Sequence, residues 1–213
     1  MRRRQADIQV FSVSFLDVLS CALGGVLLLL LVTMSSSEQA KREAATMIGL
    51  KGDLKGVVFV FDTSGSMVQG GRFPEYQELL KRWVLNLSFE RFNIIRFSTD
   101  VEAWREPGLF EATAANRRDA AQFIDGFTPA GDTNTLGALR KAFDLSEGNL
   151  DTIVLFSDGA PIQKTEDILQ YLRERNTQGV VINTVAIGRY FQERYGVFLQ
   201  QVAQQHNGMF IGR

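Results

Sequence analysis

The chain has one cysteine, Cys21, and one histidine, His206, among its 213 residues. No intrachain disulfide is possible, and zinc centres built on Cys and His, like Cys-His nucleophile pairs, are excluded. Excess positive charge is also missing. The 23 basic residues stand against 24 acidic ones, a net charge of −1 that offers nucleic acid no electrostatic footprint. Neither Gly-x-x-x-x-Gly-Lys-Ser/Thr nor Gly-x-Gly-x-x-Gly after a strand occurs, so two common phosphate-cradling loops are absent. What remains is 45% apolar and 22% charged, an ordinary globular average that hides two unlike regions.

Residues 11–34 read FSVSFLDVLSCALGGVLLLLLVTM, with Asp17 as the single charge. As a helix rising ~1.5 Å per residue this run spans roughly 36 Å, enough to cross a hydrocarbon core of about 30 Å with some tilt. Arg2, Arg3 and Arg4 precede it, whereas Glu38, Lys41, Arg42 and Glu43 follow as a mixed set. The basic excess therefore puts residues 1–10 in the cytoplasm and everything beyond the helix outside it. In a Gram-negative cell that means a single-pass inner-membrane anchor with a periplasmic domain. A cleaved signal peptide fits less well, because the most apolar part, residues 26–32, comes last and runs into Thr33 and Met34. Lipidation at Cys21 fails for a related reason: the apolar run follows the cysteine instead of preceding it.

Asp17 needs an explanation, since a carboxylate within a membrane helix costs on the order of 2.5–3.5 kcal/mol on insertion scales. Two readings stand side by side. Near the start of the run, it can sit at the cytoplasmic interface and mark where the helix begins. Facing a partner helix bundle, it can instead take up and release protons in turn. The stretch Ser14-Phe15-Leu16-Asp17-Val18-Leu19, followed by an uninterrupted apolar helix, resembles the single membrane helix of the ExbD, TolR and MotB proteins. That resemblance implies a proton-carrying Asp17, a homodimer through the membrane helix, and a surrounding ring of a MotA-, TolQ- or ExbB-like polytopic membrane protein. Nothing downstream resembles the periplasmic domains of that family.

Residues 35–55 are polar, open with serines and carry Gly49 and Gly52 near their end, and so read as a linker or stalk. From residue 56 the pattern changes. Short apolar runs rich in β-branched and aromatic residues occur at 57–61, 94–97, 153–156 and 180–187. Helical patterns lie between most of them, for example Tyr76, Leu79, Leu80, Trp83, Val84 and Leu87 at the 3.6-residue period. Further helices are expected at 116–127, 136–145, 166–175 and 193–205, with a hairpin strand at 101–104 and a last strand at 208–211. Strands alternating with helices predict an α/β fold over residues 56–213, a doubly wound, mainly parallel sheet covered on both faces. Trp83 falls on an apolar helical face and belongs in the core, Trp104 at a sheet edge, and His206 on the surface before a Gly208 helix stop. Residues 70–73 read either as a flexible connection or as part of a binding rim.

In such sheets ligands sit at the carboxyl ends of the strands, where strand order reverses. The first main strand ends Asp62-Thr63-Ser64-Gly65-Ser66 and the third of the four ends Phe156-Ser157-Asp158-Gly159, while Gly131-Asp132-Thr133-Asn134-Thr135 opens a helix between them. Two carboxylates with several hydroxyls suit a hard, oxygen-preferring cation such as Mg2+. Taken singly, Ser66 or Thr133 reads as an ordinary helix cap. Taken together and in this order, the three segments closely resemble the von Willebrand factor A (VWA) domain with its metal-ion-dependent adhesion site.

The resemblance covers residues 56–213. It implies that Ser64, Ser66 and Thr133 ligate a divalent metal, Mg2+ or else Mn2+ or Ca2+, directly or nearly so, with Asp62 and Asp158 acting largely through water. It also implies a vacant coordination position that accepts an acidic side chain from a partner protein. The site is expected to bind and not to catalyse. No lysine accompanies Asp62 or Asp158 in these loops, as an aspartyl phosphotransferase would require, and the His206 that a serine triad would need reads as a surface histidine before the Gly208 stop. Two functions follow from the whole: a B-type subunit of a proton-motive-force-driven motor complex, or a passive membrane-tethered adhesion and scaffold module.

Overall fold

The computed structural model describes residues 20–27, 29, 49–145, 148–158, 160–187 and 194–212. The chain divides into two compact units, residues 1–43 and 44–213. In the first, residues 20–27 are helical, and Leu23, Val26 and Leu27 leave more than half of their surface exposed. Among the described residues no helix is long and apolar enough to cross a membrane. Most of the 11–34 run expected to do so lies outside them, Asp17 included.

The second unit runs β1 (Gly56–Asp62), a 3-10 helix (Gly65–Gly71), α1 (Phe73–Asn86), β2 (Arg91–Phe97), β3 (Val101–Ala103), β4 (Phe110–Glu111), α2 (Ala114–Asp125), α3 (Thr135–Asp144), β5 (Thr152–Ser157), α4 (Thr165–Arg175), β6 (Val181–Ala186), α5 (Arg194–Gln205) and β7 (Phe210–Gly212). The sheet order is β3-β2-β1-β5-β6-β7, with β4 also on the outer edge of β2. Strands β2, β1, β5, β6 and β7 are parallel, while β3 and β4 are antiparallel to β2. All seven residues of β1 are buried, as expected of a central strand with helices over both faces.

Because side chains alternate along a strand, β1 feeds two separate cores. Val57, Phe59 and Phe61 join Phe92, Ile94, Val154 and Phe156 beneath α1 and α2. Val58 and Val60 join Ile95, Phe97, Ile153 and Leu155 beneath α3, α4 and α5. The first core is aromatic. The Phe61 ring centroid lies 5.8 Å from Phe73, 5.6 Å from Phe127 and 5.4 Å from Phe156, and Trp83 lies 5.2 Å from Phe156. Phe73 thus anchors the start of α1, so residues 70–73 pass from the 3-10 helix into α1 and are no flexible connection. Trp104 is half-buried at the sheet edge, stacked on Phe92 and donating its indole N–H to Asp119.

Residues 49–55, assigned by composition to a stalk, pack against the sheet instead. Leu50 is buried in the first core. The buried Asn183 side chain accepts from Lys51 N at 2.9 Å and from Met209 N at 3.0 Å, and donates to Lys51 O at 2.9 Å. Lys55 O accepts from Glu90 N and Arg91 N, where β2 begins. The chain therefore enters the domain at the amino ends of its strands. Two leucines in a polar stretch, Leu50 and Leu54, are too sparse to show any periodicity.

His206 also differs from expectation: it is buried. After α5, Asn207 takes a left-handed conformation (φ 56°) and Gly208 N closes the helix end on Ala203 O at 2.8 Å. A side chain at position 208 would strike the Ile182 carbonyl, so Gly208 serves a close approach of this turn to β6. His206 O accepts from Ile182 N, which seats the imidazole among the turns at the amino end of β6.

Asn183→Ala would leave the 49–55 strap without its anchor, at a cost of about 1–3 kcal/mol. Limited trypsin digestion checks this, since cleavage after the exposed Lys51 or Lys55 should accelerate while the sheet stays folded.

Candidate metal centre

Strand order reverses between β1 and β5, which are parallel and in register from Val57↔Thr152 to Phe61↔Phe156. Asp62 and Ser157 therefore lie side by side as the two strands end, with Asp158 one residue further. The Ser157 hydroxyl donates to Asp62 Oδ2 at 2.6 Å, and Ser64 N donates to Asp62 Oδ1 at 2.8 Å. The second bond closes the tight Asp62-Thr63-Ser64 turn and carries the serine pair across the strand ends.

The third segment is docked by backbone. Gly65 N donates to Gly131 O at 2.9 Å and Ala130 N to Thr63 O at 2.8 Å. Gly131 has φ +77°, and a side chain there would strike Thr99 Oγ1. Asp132 N donates to that same Thr99 oxygen, and Asn134 N donates to Ser98 O. Thr133 is thereby fixed beside the Asp62–Ser66 loop by the turn between β2 and β3. Gln163 Nε2 donates to Asn134 Oδ1 at 2.8 Å and Ile162 N to Thr133 O at 3.0 Å, tying in the loop that follows Asp158.

All five residues singled out in the sequence, Asp62, Ser64, Ser66, Thr133 and Asp158, thus belong to loops interlinked at one end of the sheet. Asp62, Ser64, Thr133 and Asp158 are buried, and Ser66 is partly exposed. The supporting residues Ser157, Thr99 and Gln163 were not assigned from sequence. Ser157 alone carried a signal, its place opposite Asp62 in a parallel pairing of the two strands. Asp17, the remaining candidate, lies outside the described residues.

The helix-cap reading does not hold for Ser66, which lies inside the 3-10 helix, or for Thr133. Ser64 stands at the N-cap position of the 3-10 helix but makes no side-chain cap bond. At α3 the N-cap is Asn134, whose side chain accepts from Gly137 N, so Thr133 is left outside the cap. The Ser64 and Ser66 hydroxyls share a hydrogen bond at 3.0 Å. Adjacent oxygens around an octahedral cation with bonds of about 2.1 Å stand at a similar separation, so the pair could turn to a cation with little movement. Among the described residues no group of three or more His, Cys, Asp or Glu side chains is placed to hold a metal ion.

The electrostatics point the same way. Burial pushes the Asp62 carboxyl up from its usual range to about 7, against the opposing hydrogen bonds from Ser157 and Ser64 and with a further push from the Asp158 charge. Without a cation this carboxylate is poorly compensated, so the residues present fit a divalent metal.

His206 takes no part here. Its carbonyl bonds Ile182 N at the amino end of β6, the end opposite Asp62 and Ser64. The Asn176 amide accepts from Val180 N, so its NH2 faces His206 Nδ1, 2.9 Å away, and makes that nitrogen an acceptor. Burial, then the Arg173 charge, hold the imidazole below its ordinary pKa.

With its folded-state value raised, Asp62 contributes stability that is present below about pH 4 and lost as the pH rises through about 7. Asp62→Asn should therefore flatten the pH dependence of chelator-treated protein across that window, as followed by denaturant unfolding at a series of pH values.

The family model described as von Willebrand factor type A domain matches residues 55–210. Inter-alpha-trypsin inhibitor heavy chain H2 of Homo sapiens is 30% identical over 169 residues, which are 73% of this chain and 17% of that protein. The chain thus spans less than a fifth of the length of this curated relative. Among solved structures, an aerotolerance-related membrane protein from Bacteroides fragilis is similar over 75% of this chain and 91% of its own, with 17% identity and a TM-score of 0.54. Proximal thread matrix protein 1 from the mussel byssus, with a zinc-occupied MIDAS motif, is similar over 76% of this chain and 42% of its own, with 20% identity and a TM-score of 0.57. Matched over 55–210 and built on a sheet with three interlinked loops at its switch point, this chain belongs to the von Willebrand factor type A domain family.

Proposed function

We infer that the domain is a cation-dependent binding module that captures a partner protein through an acidic side chain. The observation that carries this reading is the buried Asp62 carboxylate at the switch point, with the hydrogen-bonded hydroxyls of Ser64 and Ser66 in the turn that follows it and the charge of Asp158 acting on it. Ser64, Ser66 and Thr133 would hold the cation, with Asp62 and Asp158 supplying charge around it. When bound, the cation supplies a Lewis-acidic position open to a carboxylate oxygen. The zinc-occupied motif of the mussel protein supports a divalent ion, and Mg2+, hard and oxygen-preferring, suits these donors.

The role of the chain's own residues is to prepare that position. Ser157 and the Ser64 amide orient Asp62, while the Gly65–Gly131 contact brings Thr133 to the serine pair. The Ser157 hydroxyl is spent on Asp62 Oδ2, and the one histidine lies at the other end of the sheet from both.

The apolar run at residues 11–34 supports a membrane-anchored arrangement, and the name of the Bacteroides fragilis neighbour is in keeping with it. Asp17 within that run favours coupling to a proton-conducting ring, with the helix as a B-type motor subunit and the domain as its output. In a passive tether that carboxylate would do no more than mark the start of the helix at the interface.

Isothermal titration of the full chain with Mn2+ should give one site. Ser64→Ala should weaken it at least tenfold, and binding should tighten by up to tenfold per pH unit as the pH rises toward 7, because Asp62 releases its proton. Unchanged titration in that variant would contradict the assignment. For the motor reading, Asp17→Asn should abolish function in the cell while membrane insertion persists; full function in that variant would leave the tether.

A further inference from the structure

The surface around the cation loops carries a second feature, and it is apolar. Of the large hydrophobic side chains exposed in the described part of the domain, Ile162 at 60% and Val68 at 53% are the most exposed. Val197 follows at 50%, and Leu85, Tyr195 and Met209 lie at 37–38%. Singly exposed apolar residues are ordinary on a protein surface. What sets these two apart is that each is mounted on a segment that carries a candidate ligand or bonds one.

Val68 is two residues beyond Ser66, in the 3-10 helix that starts at Gly65. That turn is held by Met67 N on Ser64 O at 3.1 Å, and it buries Met67 to 2% exposure while turning Val68 outward. Ile162 is four residues beyond Asp158. Its N–H donates to Thr133 O, and nearby Ala160 N donates to Asp158 Oδ1 at 3.2 Å. Both side chains are branched, short and backed by ordered backbone, so covering them costs little side-chain entropy.

A carboxylate alone is a poor source of affinity, since a hydrated acid must lose water to meet the cation. Apolar area beside it supplies what a single polar contact lacks. Resting on the cation-dependent reading above, we propose that the partner segment presents its acidic residue between bulky apolar neighbours, which seat on Val68 and Ile162. The occupant is a protein loop or strand of the form apolar, acid, apolar. Polar flanks would leave two solvent-facing aliphatic side chains uncovered at the centre of the contact. The acid gives cation dependence, and the two apolar contacts select which acidic segments bind.

The test pans a displayed library of random peptides against the full chain in Mg2+ and elutes with chelator. Enrichment of an acidic residue with Leu, Ile, Val, Met or Phe within two positions on each side is the expected result. Ile162→Ser and Val68→Ser should each weaken an enriched peptide about tenfold, with Mn2+ titration of the variants unchanged. Enrichment of acids with polar flanks, or recovery of no chelator-eluted peptides by a chain that binds Mn2+, overturns the proposal. Peptide binding indifferent to both serine variants overturns it as well. Failure of the unaltered chain to bind Mn2+ is a different result: it removes the cation reading and this proposal with it.

Discussion

Asp62 is buried at the end of the central strand with neutral donors and a second carboxylate as its neighbours, and the organisation of the domain's upper end follows from holding it there. The Ser64 amide that satisfies one oxygen also folds the Asp62–Ser66 turn. The Ser157 hydroxyl that satisfies the other links β1 to β5 across the point where the sheet changes direction. A buried carboxylate without a counter-charge is costly, and that cost is what would give a divalent ion its purchase on the site.

The rest of the domain supplies rigidity around that point. Alternation along β1 sends Phe59 and Phe61 into an aromatic core under α1 and α2, and Val58 and Val60 into an aliphatic core under the other three helices. A strand gripped on both faces gives its last residue little freedom. The turn after β2 then does for Thr133 what Ser157 does for Asp62: Thr99 and Ser98 take the amides of Asp132 and Asn134, and Gly131, with φ +77°, permits the close approach. The 49–55 strap works from the opposite end, covering part of the first core with Leu50 and joining β6 through Asn183.

Much of this was legible in the sequence, for identifiable reasons. Strands buried on both faces appear as continuous apolar runs, so 57–61 and 153–156 fell inside β1 and β5, and the 3.6-residue pattern from Tyr76 to Leu87 located α1. The order of the three loop motifs located the candidate site. Features governed by single polar contacts were not legible. Helix α2 begins two residues before the expected 116 because Thr113 caps it, and β4 is two residues long and so has no period to detect. The burial of His206 depends on Asn176, thirty positions away, and the packing of residues 49–55 depends on Asn183. Thr99 and Gln163 act through backbone amides and a single amide pair, which no local pattern announces.

The proposed divalent cation would sit between the serine pair, Thr133 and the two aspartates. Crystals of the full chain grown with Mn2+ and measured at a wavelength where manganese scatters anomalously would test it directly. One strong anomalous peak is expected within bonding distance of Ser64 Oγ, Ser66 Oγ and Thr133 Oγ1. A peak placed elsewhere on the domain, or no peak at saturating Mn2+, would contradict it.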